Sequence, residues 1–340
     1  MSNGEEKILL SHGNGGRMMH DLIGNLFLKY FKNPILDEQS DAAILPVDSA
    51  EMAFTTDSFV IDPLFFPGGN IGKLAVCGTV NDLSVSGADP CFISVSFIIE
   101  EGFSMRDLET IVSSLSEEAK KAKVTIVTGD TKVVNKGKCD KIFINTAGIG
   151  SVKKKNLLIS KAGNIRPGDV VIINGTIGDH GMAVMGARES FNFKTKVMSD
   201  CASLNKLIQE VLDKSFGVKF MRDPTRGGVA TVVNELAGKA GLGIELDESA
   251  LPVSKGVSAM CELFGFDPLY IANEGKVLII ADPVESEHII EIMKENELGS
   301  QSAIIGRVTE DHTGKVVLNT STGGRRIIDT LTGNPLPRIC

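Results

Sequence analysis

Several features are missing from the 340-residue sequence, and each absence removes a class of function. No apolar run approaches the roughly 18 residues that a membrane-spanning helix needs. The first residues, Met1-Ser2-Asn3-Gly4-Glu5-Glu6-Lys7, carry no basic-then-apolar export pattern, so a cytoplasmic protein is expected. No stretch gathers a basic stripe. With 35 Lys and Arg against 43 Asp and Glu, the net charge is −8, which argues against nucleic acid as a partner. The six cysteines, at 77, 91, 139, 201, 261 and 340, include no Cys-x-x-Cys pair and have no nearby His at zinc spacing. Cys77 and Cys91 lie among apolar residues and read as small core side chains. No convincing internal sequence repeat is present, although two α/β halves of similar size are suggestive of one.

What is present describes an enzyme-sized globular chain. The length suggests two domains, and 36 glycines suit tight turns and close backbone approaches to a ligand. Residues 1–40 read as a flexible N-terminal segment with a Gly-rich cluster, Ser11 to Arg17, ahead of a helical pattern at Met18, Leu22, Ile23, Leu26 and Phe27. From Asp41 strands and helices alternate. The expected elements are a strand from Met52 to Thr56, a helix from Ile71 to Ser86, a strand from Cys91 to Ile99, a Ser104-capped helix to Ala122, and strands at 124–128 and 142–147. The glycine and lysine run 148–156 reads as a domain junction, with Lys153, Lys154 and Lys155 in a solvated loop. A second mixed domain follows. Its strand from Val170 to Ile173 feeds Gly175-Thr176-Ile177-Gly178-Asp179-His180-Gly181, and its Arg222-Asp223-Pro224-Thr225-Arg226-Gly227-Gly228 loop opens a helix from Val229 to Ala240 whose N-terminus can face an anion. The expected division is 41–155, 156–330 and a tail, 331–340.

Aspartates recur where strands end or helices open, at Asp41, Asp57, Asp82 and Asp130. Carboxylates converging from several elements are what Mg²⁺ needs when substrate phosphates complete its shell. Each alone reads equally well as a turn former or cap. Asn81-Asp82 is more specific, because both are poor helix formers inside an apolar helix, and Gly78 one turn earlier leaves room for close approach. Lys73 and Lys132 could supply positive charge to phosphates. The tail, Pro335-Leu336-Pro337-Arg338-Ile339-Cys340, cannot be helical, and its prolines predict an extended arm that displays the terminal thiol away from the body.

The runs Thr56-Asp57-Ser58-Phe59-Val60, Pro63 to Gly69, Ile71-Gly72-Lys73-Leu74-Ala75, Gly78-Thr79-Val80-Asn81-Asp82-Leu83, Thr128 to Val134 and the terminal Pro-Arg-Ile-Cys resemble the HypE family of hydrogenase maturation proteins. The resemblance spans nearly the whole chain. It implies an α/β (α+β) architecture of two mixed domains like that of aminoimidazole ribonucleotide synthetase, with the N-terminal domain dimerising through its sheet and ATP at the interface. It implies Mg²⁺ on Asp41, Asp57, Asp82 and Asp130, joined from the second domain by Asp223, and nucleotide contacts from Thr56, Lys73, Asn81, Asp223, Thr225, Arg226 and Gly227. Where relatives often show two adjacent acids, this chain has Ser40-Asp41. The implied reaction is ATP-dependent dehydration of an S-carbamoyl group on Cys340 to a thiocyanate, the source of the cyanide ligand of [NiFe]-hydrogenase. HypF is the implied carbamoyl donor and the HypC–HypD complex the cyanide acceptor. Lys132 and Glu274 are the candidates for the general base. Two other readings compete: a small-molecule kinase of the selenophosphate synthetase or thiamine-monophosphate kinase type, and a non-catalytic scaffold using Cys340 as a soft metal ligand.

Overall fold

The computed structural model describes residues 7–9, 12, 21–34, 51–188, 195–330 and 338–340. Two sheets organise it. The first has the order β1-β6-β4-β5, from Met52–Phe59, Ile142–Val152, Ala88–Glu100 and Thr125–Val134, antiparallel except for the parallel β4/β5 pair. β2 (Phe65–Phe66) and β3 (Gly69–Asn70) form a small hairpin beside it. The second sheet has seven strands in the order β13-β12-β9-β11-β7-β10-β8. These are Arg325–Ile328, Val316–Asn319, Gly243–Asp247, Ala303–Thr309, Val170–Ile173, Leu278–Ala281 and Val218–Arg222. The mixed two-domain α/β expectation is met.

The helix Ile71–Val85 lies at the centre. Asn70 caps it by accepting the N–H groups of Gly72 and Lys73, and thirteen of its fifteen residues are buried. A helix buried all round must meet neighbours on every side. One side packs on the first sheet, another crosses the helix Met105–Ala122, and a third meets the helix Asn205–Lys214. Gly72 makes the crossing possible, because a Cβ there would stand 2.2 Å from the Ile111 carbonyl oxygen. Gly78 serves packing too: the Phe59 ring fills the space beside it, at 2.9 Å from where a Cβ would be. The Met105–Ala122 helix follows its sequence pattern, with Ser104 accepting the Asp107 N–H and Leu108, Ile111, Val112, Leu115, Ala119 and Ala122 turned inward.

Some expectations need correction. β5 does not stop at Thr128 but continues to Val134, so Asp130 and Lys132 are strand residues. Cys77 is fully buried, whereas Cys91 is only half-buried. Lys153 and Lys155 are not merely solvated: both pair with Asp213, at 2.8 and 3.2 Å, fastening the junction to the end of the Asn205–Lys214 helix. Of the head expected to be flexible, Leu22, Leu26, Phe27 and Phe31 are buried, and Phe27 stacks on Phe97 with centroids 5.1 Å apart. The Gly-rich cluster from Gly13 to Arg17, Asp41 and the tail prolines lie outside the described residues.

Candidate active site

The terminal thiol is not displayed. Cys340 is seated in the body: its carbonyl oxygen accepts the Val60 N–H at 3.2 Å, and the Arg338 carbonyl accepts the Asp62 N–H at 3.1 Å. Arg338 also donates through Nε to the Val60 carbonyl at 2.9 Å and pairs with Asp140. Ile339 is 3% exposed. Residues 338–340 thus bond through the Arg338 and Cys340 carbonyls to the segment that follows β1, which gives those carbonyls partners beside the buried Ile339. Burial pushes the Cys340 thiol up to about 12, with Glu274 and Asp57 pushing the same way and Arg226 opposing them. The seated sulfur is therefore a neutral thiol among carboxyl groups.

Glu274 comes from the turn Ala272-Asn273-Glu274-Gly275, which is held from three sides. The Asn273 side chain and main-chain N–H both donate to the Pro224 carbonyl, at 2.9 and 3.2 Å, stitching this turn to the Arg222–Gly228 loop. Asp200 accepts the N–H groups of Glu274 and Gly275 at 3.1 and 3.3 Å and pairs with Lys276 at 3.0 Å. Asn81 donates to the carbonyls of Glu274 and Ala202, each at 3.1 Å, and accepts the Leu204 N–H at 2.8 Å. Both ends of the Asn81 amide are thus engaged by main chain, so in this state it ties the central helix to the second sheet's domain. Glu274 itself is 3% exposed, and its Oε1 has no hydrogen-bond partner among the described residues. Burial, followed by Cys201, Asp200, Asp223 and Asp57 nearby, raises its carboxyl well above the usual range.

Three of the expected acidic residues gather beside it. Thr55 donates to Asp82 at 2.9 Å, and burial with Asp82 close by raises Asp57 to about 6. Burial and the same Asp82 raise Asp223 to about 7. Arg226 acts on Asp57 from the loop it shares with Asp223. In that loop the Thr225 carbonyl accepts the Gly228 N–H at 2.9 Å, and Gly227 turns into its helix at φ 76°. A Cβ on Gly227 would lie 2.1 Å from Thr231 Oγ1, so the turn requires glycine.

Other expected residues are not brought there. Side chains alternate along a strand, so Thr56 faces away from Asp57. Thr56 donates to the Thr146 carbonyl at 2.9 Å. The register Ser58–Asn145–Ser96–Asp130 runs across the open face of the first sheet, placing Asp130 there with Lys132. Asp130 and Lys132 pair at 2.8 Å with more than half of each side chain exposed, and Lys132 holds the Asp130 carboxyl below its usual range. Within one chain Lys132 therefore stands on a different face from Asp57, and the acids split into two groups. Lys73 donates to the Gly68 carbonyl at 3.1 Å, at the turn before the central helix. Among the described residues no three acidic, thiol or imidazole side chains converge closely enough to hold a metal ion by themselves.

Asp200 and Asn273, which fix the backbone of Glu274, have no motif or period in sequence that marks them.

Comparison with known proteins decides among the readings. Residues 39–152 match the family described as AIR synthase related protein, N-terminal domain, and residues 166–319 match its C-terminal domain. Carbamoyl dehydratase HypE of Escherichia coli K12 is 47% identical, with 98% of this chain and 99% of that protein covered. The chain belongs to the HypE carbamoyl dehydratase family. A crystal structure of hydrogenase maturation protein HypE in complex with ATP, 44% identical, superposes with a TM-score of 0.93 over 98% of this chain and 99% of that one. A HypE–HypF complex matches at 49% identity and a TM-score of 0.79, covering 91% of this chain and 99% of its own. HypE relatives of this identity and coverage leave neither the small-molecule kinase nor the non-catalytic scaffold reading standing.

Proposed function

We propose that this chain dehydrates an S-carbamoyl group carried on its own Cys340 to a thiocyanate at the expense of ATP, supplying the cyanide ligand of [NiFe]-hydrogenase iron. The observation that carries this reading is the seat of the terminal thiol, which puts Cys340 among Glu274, Asp57 and Arg226. A carbamoyl group there would meet a buried carboxyl with an unengaged oxygen.

Loss of the amide oxygen as hydroxide is slow. Transfer of the γ-phosphoryl group to that oxygen makes inorganic phosphate the leaving group. Two N–H protons leave as the C≡N bond forms, so the balance is one S-carbamoyl cysteine and one ATP giving one thiocyanate, ADP, phosphate and a proton. Glu274, whose charge is felt at Cys340, would take an N–H proton. In the resting state burial first, then Cys201, Asp200, Asp223 and Asp57, hold its own proton on, so it must give that proton up before it can accept one from nitrogen. Arg226 contributes positive charge opposite the developing phosphate.

Mg²⁺ fits the donor set: Asp57, Asp82 and Asp223 offer hard oxygens that repel one another, and Asp41 with the nucleotide phosphates would complete the shell. The ion would neutralise charge on the transferring phosphoryl group. Thr56, Asp130 and Lys132 lie on the open sheet face, which also exposes Phe54 at 71% and Ile98 at 43%, a pattern that suits covering by a second copy. On this reading the homodimer brings that face to the nucleotide, with Lys73, Asn81, Thr225 and Gly227 supporting the pocket, and Lys132 binds phosphate while Glu274 is the base. Residues 41–155 and 156–330 act as the two working domains and 331–340 as the substrate arm. HypF would load the carbamoyl group, the HypC–HypD complex would accept the cyanide, and a cytoplasmic setting would keep the thiol reduced.

The test is stoichiometric. After cyanate treatment to carbamoylate thiols, addition of Mg-ATP should release one phosphate per modified tail and then stop, while a Cys340→Ala variant should release only a background amount. Equal phosphate release from both proteins would sink the self-substrate reading.

A further inference from the structure

The tail is seated by residues outside the acidic cluster. His180, in the first turn of the helix Asp179–Gly186, is fully buried. Its Nε2 lies 2.7 Å from the Ile339 carbonyl oxygen and its Nδ1 lies 2.8 Å from Ser199 Oγ. A carbonyl only accepts, so Nε2 carries the proton and donates it. Ser199 Oγ accepts the Cys201 N–H at 3.1 Å, which leaves its hydroxyl hydrogen to donate to Nδ1. A neutral ring whose Nδ1 accepts the Ser199 hydroxyl satisfies every group in this chain, and burial, which lowers the imidazole against the opposing pull of Asp200 and the Ile339 carbonyl, favours it over the charged ring. Phe66 packs edge-on against the ring at 5.4 Å. Turning the ring would strand two buried polar groups.

Arg188 closes the other flank. Its guanidinium donates to the Arg338 carbonyl at 3.2 Å and to the Asp62 carbonyl at 3.0 Å, bridging the arm to the segment it lies against. Arg338 adopts φ 54°, a left-handed conformation that costs a non-glycine residue free energy, so its bonds must hold it there. Ser199 is also next to Asp200, the residue that fixes the backbone of Glu274. One three-residue stretch, Ser199-Asp200-Cys201, therefore aligns both the ring that holds the tail and the carboxyl that faces it.

We propose that His180 is a positioning residue that seats the terminal arm by its penultimate main-chain carbonyl, presenting the Cys340 sulfur to Glu274. What it recognises is backbone, so the seat would hold the arm whether the sulfur is free or modified. The assignment rests on Cys340 being the protein's own substrate, but the seating can be read without any turnover.

The experiment uses the full-length chain with His180→Ala, His180→Gln and Ser199→Ala variants. Cys340 exposure is read as the iodoacetamide alkylation rate of the C-terminal peptide by mass spectrometry, alongside melting temperature and the single-turnover rate of the carbamoylated protein with Mg-ATP. Loss of one buried hydrogen bond predicts an alkylation rate about fivefold to tenfold higher in His180→Ala, with a comparable fall in single-turnover rate and unchanged ATP affinity. His180→Gln, whose amide can reach the same carbonyl, should recover most of both. A folded His180→Ala protein with unchanged Cys340 alkylation overturns the proposal. Should His180→Ala fail to fold, Ser199→Ala keeps the ring but removes its anchor, and alkylation there must rise; if it does not, the proposal falls. Raised alkylation together with a parent protein that dehydrates nothing would leave the seat standing and remove the self-substrate reading instead.

Discussion

Glu274 shows how one side chain can be both buried and useful. A carboxyl without a partner for one oxygen costs free energy in a dry interior, and the protein limits that cost by keeping the group protonated. Replacement by Gln preserves the shape and neutrality of that state, so Glu274→Gln should fold with little loss of stability and bind ATP as before. It removes the proton acceptor, and the single-turnover dehydration rate should fall by about 10²–10⁴. A rate within threefold of the parent, roughly the scatter expected for a residue off the reaction path, would transfer the base to another group. This residue was readable from sequence only through its resemblance to a family run. Its environment was not, because Asp200, Asn81 and Asn273 reach it from 74, 193 and 1 residues away, and no local period encodes such convergence.

At the scale of elements, local pattern and tertiary demand part company in instructive ways. The Met105–Ala122 helix was legible end to end, since its cap, its apolar stripe and its length all agree. The Ile71–Val85 helix is legible in position but not in role: Gly78, which reads as room for a close approach, is where the Phe59 ring packs, and Gly72, which carries no signal of its own, is where Ile111 approaches. Gly72→Ala should therefore overpack the helix crossing and cost about 1–3 kcal/mol, visible as a lower denaturation midpoint. Gly238→Ala is the control. It sits in the Gly228–Ala240 helix with nothing within 4 Å of a new Cβ, and should be neutral or stabilise by up to about 1 kcal/mol. Equal effects at the two positions would contradict the crossing. β5 was cut short because Gly129 and Asp130 resemble a turn; a Cβ on Gly129 would stand 2.4 Å from the Val95 carbonyl, so that glycine permits close strand pairing instead.

On the scale of the whole molecule, the two-domain α/β plan followed from alternating elements, whereas the placement of the arm did not. The tail prolines lie outside the described residues, and their presence in the sequence says nothing about what Arg338, Ile339 and Cys340 dock against. The seat depends on main-chain groups of Val60 and Asp62 and on His180 and Arg188, which carry no joint signature. The open sheet face is likewise visible only once strands are paired, when Phe54 proves to be exposed beside hydrogen-bonding residues such as Thr56 and Asn145. If this face is covered by a second copy, Phe54→Lys should shift the protein toward monomer in sedimentation at micromolar concentration and weaken ATP binding. An unchanged association state would place the interface elsewhere.

If the chain is its own substrate, the mass of its C-terminal peptide must report the reaction. The C-terminal peptide of cyanate-treated protein should carry one carbamoyl group on Cys340 and, after incubation with Mg-ATP but not without it, should lose the mass of one water. A carbamoyl group that persists on Cys340 while ATP is consumed would contradict the account.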